Sequence, residues 1–422
     1  MVTLRKVLFW MHLVAGLVAG VVIFIMSLTG AAIALQPQLL LWAERAIRTV
    51  DPPGGKAWLG PEALLSKVRE QRPGFVPTGL TLEHDPSLAA AVTLVPAPAP
   101  ESDAAVTRGP DRSPGGSGPG GPPQTTVYVD PYTGAVLGEL DPTSPARRFF
   151  RVNTDLHRWL ALSGDQRSTG RWVTGVSNAA FLVLALTGLF IWVPRVWSWT
   201  AVRAVTFFRS GLSGKARDFN WHNVIGIWSS AVLVVLTFTG MCISFPKTYE
   251  AIYAVTGIEP PPASGRPGGG RAGARPTAPD AGSFDNLDRA WAKAEAQMPS
   301  WRSIAIRVAA RPGEAVSFTF NDRNRLNPMA RSTATVEGAS GEVTRWEPYE
   351  QLPTGQRLRT WMRFGHTGEL WGITGQIVAG LASLGGCVLV YTGFALAWRR
   401  WTAWRARRAR TPAAGMREQP AA

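Results

Sequence analysis

Four of the five histidines in this 422-residue chain, His12, His157, His222 and His366, stand at the ends of its four long apolar segments. An ionisable ring at a membrane boundary is rare and costly, and marks a functional site by default. Neutral imidazole ligates iron, copper, nickel and zinc. Four such rings on four segments therefore suggest two metal centres, each held by a histidine pair. The fifth histidine, His84, lies in a polar region and reads as unrelated.

The elements that must position these rings are apolar runs from Val7 to Leu41, Trp172 to Val193, Val224 to Phe245 and Leu370 to Trp398. Each is long enough for a membrane-crossing helix, which takes about 20 residues. The first is preceded by Arg5 and Lys6 and contains Ala32-Ile33-Ala34, like a cleavage site. Its apolar run is about twice the length of a signal-peptide core, so it reads as a retained helix. The net charge is +15, and +12 of it sits in residues 1–11, 195–221 and 399–422. If four helices cross in turn, these three segments share one side. That is the positive-inside pattern, with both termini cytoplasmic. The arginine run from Arg399 to Arg410 then reads as an anchor on anionic membrane lipid rather than a nucleic-acid site. Trp192, Trp197, Trp199, Trp398 and Trp401 form an interfacial belt. Cys242 and Cys387 fall near opposite ends of their helices, too far apart in depth for a disulfide.

The chain also repeats itself. His12, Gly16, Thr29 and Gly30 have the spacing of His222, Gly226, Thr239 and Gly240: H-x3-G-x12-T-G. Gly175 with Thr187-Gly188 matches Gly380 with Thr392-Gly393. Between the helices, Val129 to Val136 and Val336 to Val343 both fit V-[DE]-x-x-[ST]-G-x-V, a β-hairpin pattern. Helices are predicted at Pro61–Val68 and Leu287–Met298, with strands at Leu80–Leu82 and Ala315–Phe320. The expected fold class is a membrane α-helical protein. Its four transmembrane helices arise by tandem duplication of helix–periplasmic domain–helix, and carry two small α+β periplasmic domains.

The expected layout is helix one in residues 1–42 and a first outward domain in 43–155, with a Pro/Gly-rich linker at 96–123. An amphipathic lead-in and helix two occupy 156–197, a cytoplasmic loop 198–221 and helix three 222–245. The second outward domain spans 246–365 with a linker at 260–282, helix four 366–398 and a basic tail 399–422.

Depth pairs His12 with His222 near the cytoplasmic face and His157 with His366 near the outer face. No other buried Cys, Asp or Glu completes a bare metal site. A haem supplies four nitrogens itself and needs only axial ligands, so two histidines per level suit two b haems. No C-x-x-C-H is present for covalent attachment. Arg158, Arg171 and Arg363 stand near the outer pair as partners for haem propionates, and Arg5, Lys6 and Arg217 near the inner one. Each arginine, taken singly, fits snorkelling at a membrane edge equally well. Gly16, Gly20, Gly226, Gly375 and Gly380 could admit a flat macrocycle, and equally suit close helix packing. The Thr-Gly pairs read as packing or kink features.

These residues resemble the PepSY-associated transmembrane family. The resemblance rests on Asp155-Leu156-His157-Arg158-Trp159-Leu160, Asn220-Trp221-His222-Asn223-Val224-Ile225-Gly226 and Phe364-Gly365-His366-Thr367-Gly368-Glu369, with the two hairpins similar to PepSY signatures. His12 departs from the pattern in being followed by Leu13 rather than a basic residue, and His222 in being followed by Asn223. Members are bacterial inner-membrane proteins, and some are di-haem reductases of ferric siderophores. The resemblance implies two b haems on the four matching histidines. It also implies electrons passing from a quinol or cytoplasmic reductase to a periplasmic ferric chelate. Residues 246–365 carry +4 and residues 43–155 carry −2, so the second outward domain is the more attractive to an anionic chelate. The alternative is a non-enzymatic PepSY factor that modulates a peptidase, signalling or assembly. A transporter built on parallel repeats lacks the broken, charged helices of a midplane substrate site.

Overall fold

The computed structural model describes residues 4–55, 57–97, 124–194, 197–260, 286–308, 314–324, 327 and 329–410. Apart from their edge residues, the two expected linkers at 96–123 and 260–282 lie outside the described residues, as does the tail beyond Arg410. In chain order the N-terminal half comprises helices α1 (Leu4–Ala34), α2 (Gln36–Ala43), α3 (Arg45–Arg48) and α4 (Pro61–Gln71), then strands β1 (Phe75–Glu83), β2 (Ala90–Pro96), β3 (Thr125–Val129) and β4 (Val136–Glu139), then α5 (Pro145–Trp159) and α6 (Arg167–Trp192). After α7 (Trp199–Thr206) come α8 (Gly214–Ser244), α9 (Pro246–Thr256), α10 (Leu287–Glu295), β5 (Trp301–Arg307), β6 (Val316–Asp322), β7 (Arg331–Val336), β8 (Val343–Glu347), α11 (Thr354–Thr367) and α12 (Gly372–Arg410).

Four helices are long and apolar enough to cross a membrane, and they are α1, α6, α8 and α12. The protein is a multi-pass membrane protein. Its bundle is apolar outside and polar within. Val14, Val18, Val21 and Leu28 of α1 face outward, while Ser27, Thr29, Thr174, Asn178, Thr237, Gln376 and Thr392 are buried. Lipid solvates apolar side chains as well as a protein core does, so small and hydroxylated residues take the helix contacts. Their polar atoms find partners inside: Asn178 donates to the Thr237 carbonyl at 2.7 Å and Gln376 to the Ala34 carbonyl at 2.9 Å. The helices form a ring in which α1 packs on α6 and α12, and α8 packs on α12 and α6.

The apolar run from Val7 to Leu41 is not one helix. It breaks at Leu35, and Pro37 sits in the first turn of α2, where its missing N–H costs nothing. The helix α12 is longer than its apolar run. It continues past Trp398 to Arg410, and its 39 residues span about 58 Å at about 1.5 Å per residue.

The two outward segments are not two separate domains. Their strands form one antiparallel eight-stranded sheet in the order β4-β3-β2-β1-β5-β6-β7-β8. The join is the β1–β5 pair, running from Gly79 opposite Arg307 to Glu83 opposite Ser303. Each half-sheet is a meander with one exposed edge at its first strand, and pairing the two removes both edges. One core lies on one face. Leu64, Leu65 and Val68 of α4 and Trp291 and Ala294 of α10 cover Leu80, Val92, Val127, Ile304, Phe318 and Phe320. The two covering helices cap each other reciprocally. The Asp288 carboxylate accepts from Glu62 N–H at 2.9 Å, and the Glu62 carboxylate accepts from Asp288 N–H at 3.1 Å.

Both hairpins form at the positions the pattern picks out. Val129 pairs with Val136 and Val336 with Val343, and Gly134 and Gly341 supply the left-handed turn residue at φ 77° and 68°.

Candidate functional site: two facing histidine pairs

The four transmembrane helices and two lead-in helices bring the four histidines together two by two. His12 on α1 faces His222 on α8, with ring centroids 6.3 Å apart and planes at 80°. His157 on α5 faces His366 on α11 at 6.2 Å and 52°. The lead-in helices reach these places by turning sharply back. A residue in the left-handed conformation ends each one, Leu160 after α5 and Gly368 after α11. A Cβ on Gly170 would collide with the Trp159 carbonyl, and one on Gly375 with the Gly368 carbonyl. Those two glycines let α5 and α11 close onto α6 and α12.

Each ring has the same seat. Nδ1 of His12 lies 3.0 Å from Thr187 Oγ1, that of His157 3.0 Å from Thr29 Oγ1, and that of His222 2.9 Å from Thr392 Oγ1. His366 Nδ1 lies 3.3 Å from Thr239 Oγ1 and 2.8 Å from the Leu236 carbonyl. The glycine after each threonine underlies the ring. A Cβ there would stand 3.3 Å from Cε1 of His12 at Gly188, 3.3 Å from that of His157 at Gly30, 2.9 Å from that of His366 at Gly240 and 3.7 Å from that of His222 at Gly393. Every seat lies within one half of the chain, whereas each facing pair joins the two halves. Asn153 adds a tie beside the outer pair, donating to the Thr29 carbonyl at 3.0 Å. In α5, outside the four spans, burial and the nearby His366 and Arg158 push His157 down to about 4, which keeps its lone pair free of a proton.

The outer pair opens on a cavity of about 350 Å³ that Arg158, Arg171 and Arg363 also line. The three arginines that sequence places near this pair thus converge on it. Burial, and then the charges of Arg363, Arg171 and Arg167, hold Arg158 below the usual guanidinium range, with Asp155 the opposing acid. Arg158 and Arg167 both stand over the Trp159 ring, their guanidinium carbons 4.6 and 3.5 Å from its centre. The inner candidates are engaged elsewhere. Arg5 donates to the Ile191 and Val193 carbonyls at the end of α6. Arg217 pairs with the buried Asp218, which Arg399 also binds, and Lys6 is exposed.

The donor set discriminates between cofactors. Among the described residues no group of three or more His, Cys, Asp or Glu side chains could hold a metal ion. Two nitrogens per level would suit only a group that brings its own remaining ligands. An imidazole nitrogen sits about 2.0–2.1 Å from a bound metal ion and about 1.1 Å from its ring centre, so two rings on opposite sides of one ion stand about 6.2–6.4 Å apart. Both pairs have this spacing. With the three cations in the outer cavity, the residues fit a b-type haem.

Sequence reasoning missed the seats. Gly16, Gly226 and Gly380 make ordinary helix contacts, with Leu184, Leu389 and Ala31. Gly20 lies against Phe394 and Gly375 against the lead-in turn. The glycines against the rings are those of the Thr-Gly pairs. Their signal was present, since Thr-Gly closes one spacing on the first and third helices and another on the second and fourth. His84 lies apart, just past the end of β1, with its ring centre 4.8 Å from that of Trp301. Cys242 and Cys387 are both free.

The family model described as PepSY-associated TM region matches residues 9–400. No curated protein matches the chain.

Proposed function

Given that the chain belongs to the PepSY-associated TM region family, we propose that it is a di-haem b electron-transfer protein of the bacterial inner membrane. In this reading it reduces a periplasmic ferric siderophore or other ferric chelate with electrons from a quinol or a cytoplasmic reductase. The observation that carries this reading is the pair of facing imidazoles at each level, 6.3 and 6.2 Å apart with each Nδ1 engaged.

His12 and His222 would hold one haem, His157 and His366 the other. Bound there, a b haem would supply a one-electron couple. The chain's own part is to orient the rings, exclude water and concentrate positive charge. Arg158, Arg171 and Arg363 would pair with propionates at the outer level. The charge map supports cytoplasmic termini and a periplasmic sheet. The matched meanders, covering helices and seats of the two halves support a tandem duplication. Residues 17 apart on α1 (His12, Thr29) and on α8 (His222, Thr239) set the two levels. At about 1.5 Å per residue they lie about 25 Å apart, near the two edges of a hydrocarbon core about 30 Å thick.

The test is an absorption spectrum of the purified protein with and without dithionite, and a haem count per chain. Reduced b-type bands and two haems are expected. The variants His12→Ala and His366→Ala should each retain about one. Protein from haem-replete cells that shows no b-type bands would overturn the reading.

A further inference from the structure

We infer that Thr29, Thr187, Thr239 and Thr392 are positioning residues, each of which holds the opposite histidine as the Nδ1–H tautomer with Nε2 bare toward its partner ring. The argument is a count of hydrogens. A threonine hydroxyl has one proton to give and lone pairs to receive with. In all four threonines that proton is committed to the helix behind it. Oγ1 lies 2.6 Å from the Ile25 carbonyl for Thr29, 2.6 Å from Val183 for Thr187, 2.6 Å from Val235 for Thr239 and 2.7 Å from Val388 for Thr392. The oxygen can therefore only accept from the imidazole, so the ring must carry its hydrogen on Nδ1. The backbone agrees at the seat where it is closest: the Leu236 carbonyl, three residues before Thr239, lies 2.8 Å from His366 Nδ1 and can only accept. A free hydroxyl could instead have donated to Nδ1 and put the proton on Nε2, where it would block a metal. Such outer partners fix a ligand's tautomer and raise its basicity.

The four seats are not equal, and this supplies an internal control. His366 Nδ1 is closer to the Leu236 carbonyl, at 2.8 Å, than to Thr239, at 3.3 Å. His222 leans on Thr392, at 2.9 Å.

The inference rests on the haem reading, and the experiment separates the two. Redox titration of the full chain, followed in the visible spectrum, is run on the parent protein and on Thr392→Val, Thr392→Ser and Thr239→Val. Two titrating b haems in the parent protein uphold the haem reading by themselves. Losing the Nδ1–H bond makes a ligand less basic and disfavours ferric iron. Thr392→Val should then raise one midpoint by about 59 mV, a tenfold change in the one-electron equilibrium. Thr392→Ser, which keeps the oxygen, should stay at the parent value, and Thr239→Val should shift less than Thr392→Val. If Thr392→Val loses a haem outright, retention by Thr392→Ser supports the inference and loss by both overturns it. An unshifted Thr392→Val, or equal shifts for the valine and serine variants, also overturns it. Should the parent protein bind no haem, 15N-histidine spectra still decide, because Nε2–H tautomers would contradict it.

Discussion

At the scale of residues, the chemistry depends on a threonine and a glycine at least as much as on each histidine. The four Thr-Gly pairs place an acceptor at Nδ1 and leave room under Cε1. Clearance differs between seats, so one substitution should have graded effects. Gly240→Ala sets a methyl 2.9 Å from the His366 ring, whereas Gly393→Ala meets His222 only at ordinary contact, 3.7 Å. On the proposed di-haem reading, the first variant is expected to displace the ring and lower the haem count, and the second to leave it unchanged, as measured by pyridine haemochrome assay. The histidines were legible in the sequence because an ionisable side chain at a membrane edge needs a reason to be there. The threonines were not, because hydroxyls inside lipid-bathed helices routinely bond their own backbone, and these do that as well. What distinguishes them is a second bond to a ring more than 120 residues away in sequence. No local pattern encodes that contact.

At the scale of elements, the two halves use equal lengths to set equal depths. The helices α4 and α10 show the same economy outside the bundle. Neither N-terminus has a side-chain cap of its own, and each takes a carboxylate from the other. Asp288→Ala and Glu62→Ala should each cost about 1 kcal/mol, the usual worth of a cap, and the double variant should cost less than the sum because one joint is being broken. Denaturant unfolding followed by far-UV circular dichroism would read this. Sequence periodicity located these helices and both hairpins, since their turns carry Gly134 and Gly341 in the left-handed region. It did not foresee the break at Leu35, masked by continuous apolarity, nor α7, which is held from outside by Trp192, Trp228 and Asn220 bonding its last carbonyls.

At the scale of the molecule, the halves are joined by β1 against β5 in the sheet, by the reciprocal caps of α4 and α10 and by the ring of four helices. The strand join was invisible from sequence, since Gly79 and Arg307 carry no signal of each other across so long a separation. It also merges what reads as two small cores into one. Phe318→Ala, at a fully buried position in that shared core, should cost about 3–5 kcal/mol. It should loosen α4 in the other half as well, which hydrogen exchange in the α4 backbone would detect.

Each half seats both of its own histidines, yet owns only one histidine of each facing pair. On the proposed di-haem reading, a half translated alone would therefore complete neither histidine pair and bind no haem. Cut between α7 and α8 and supplied as two polypeptides, the protein should turn red only when both pieces meet. The cofactor would then act as an assembly checkpoint, reporting that the second half has arrived. Copurification of the two pieces from haem-supplied cells, and its weakening in haem-starved ones, is the expected result.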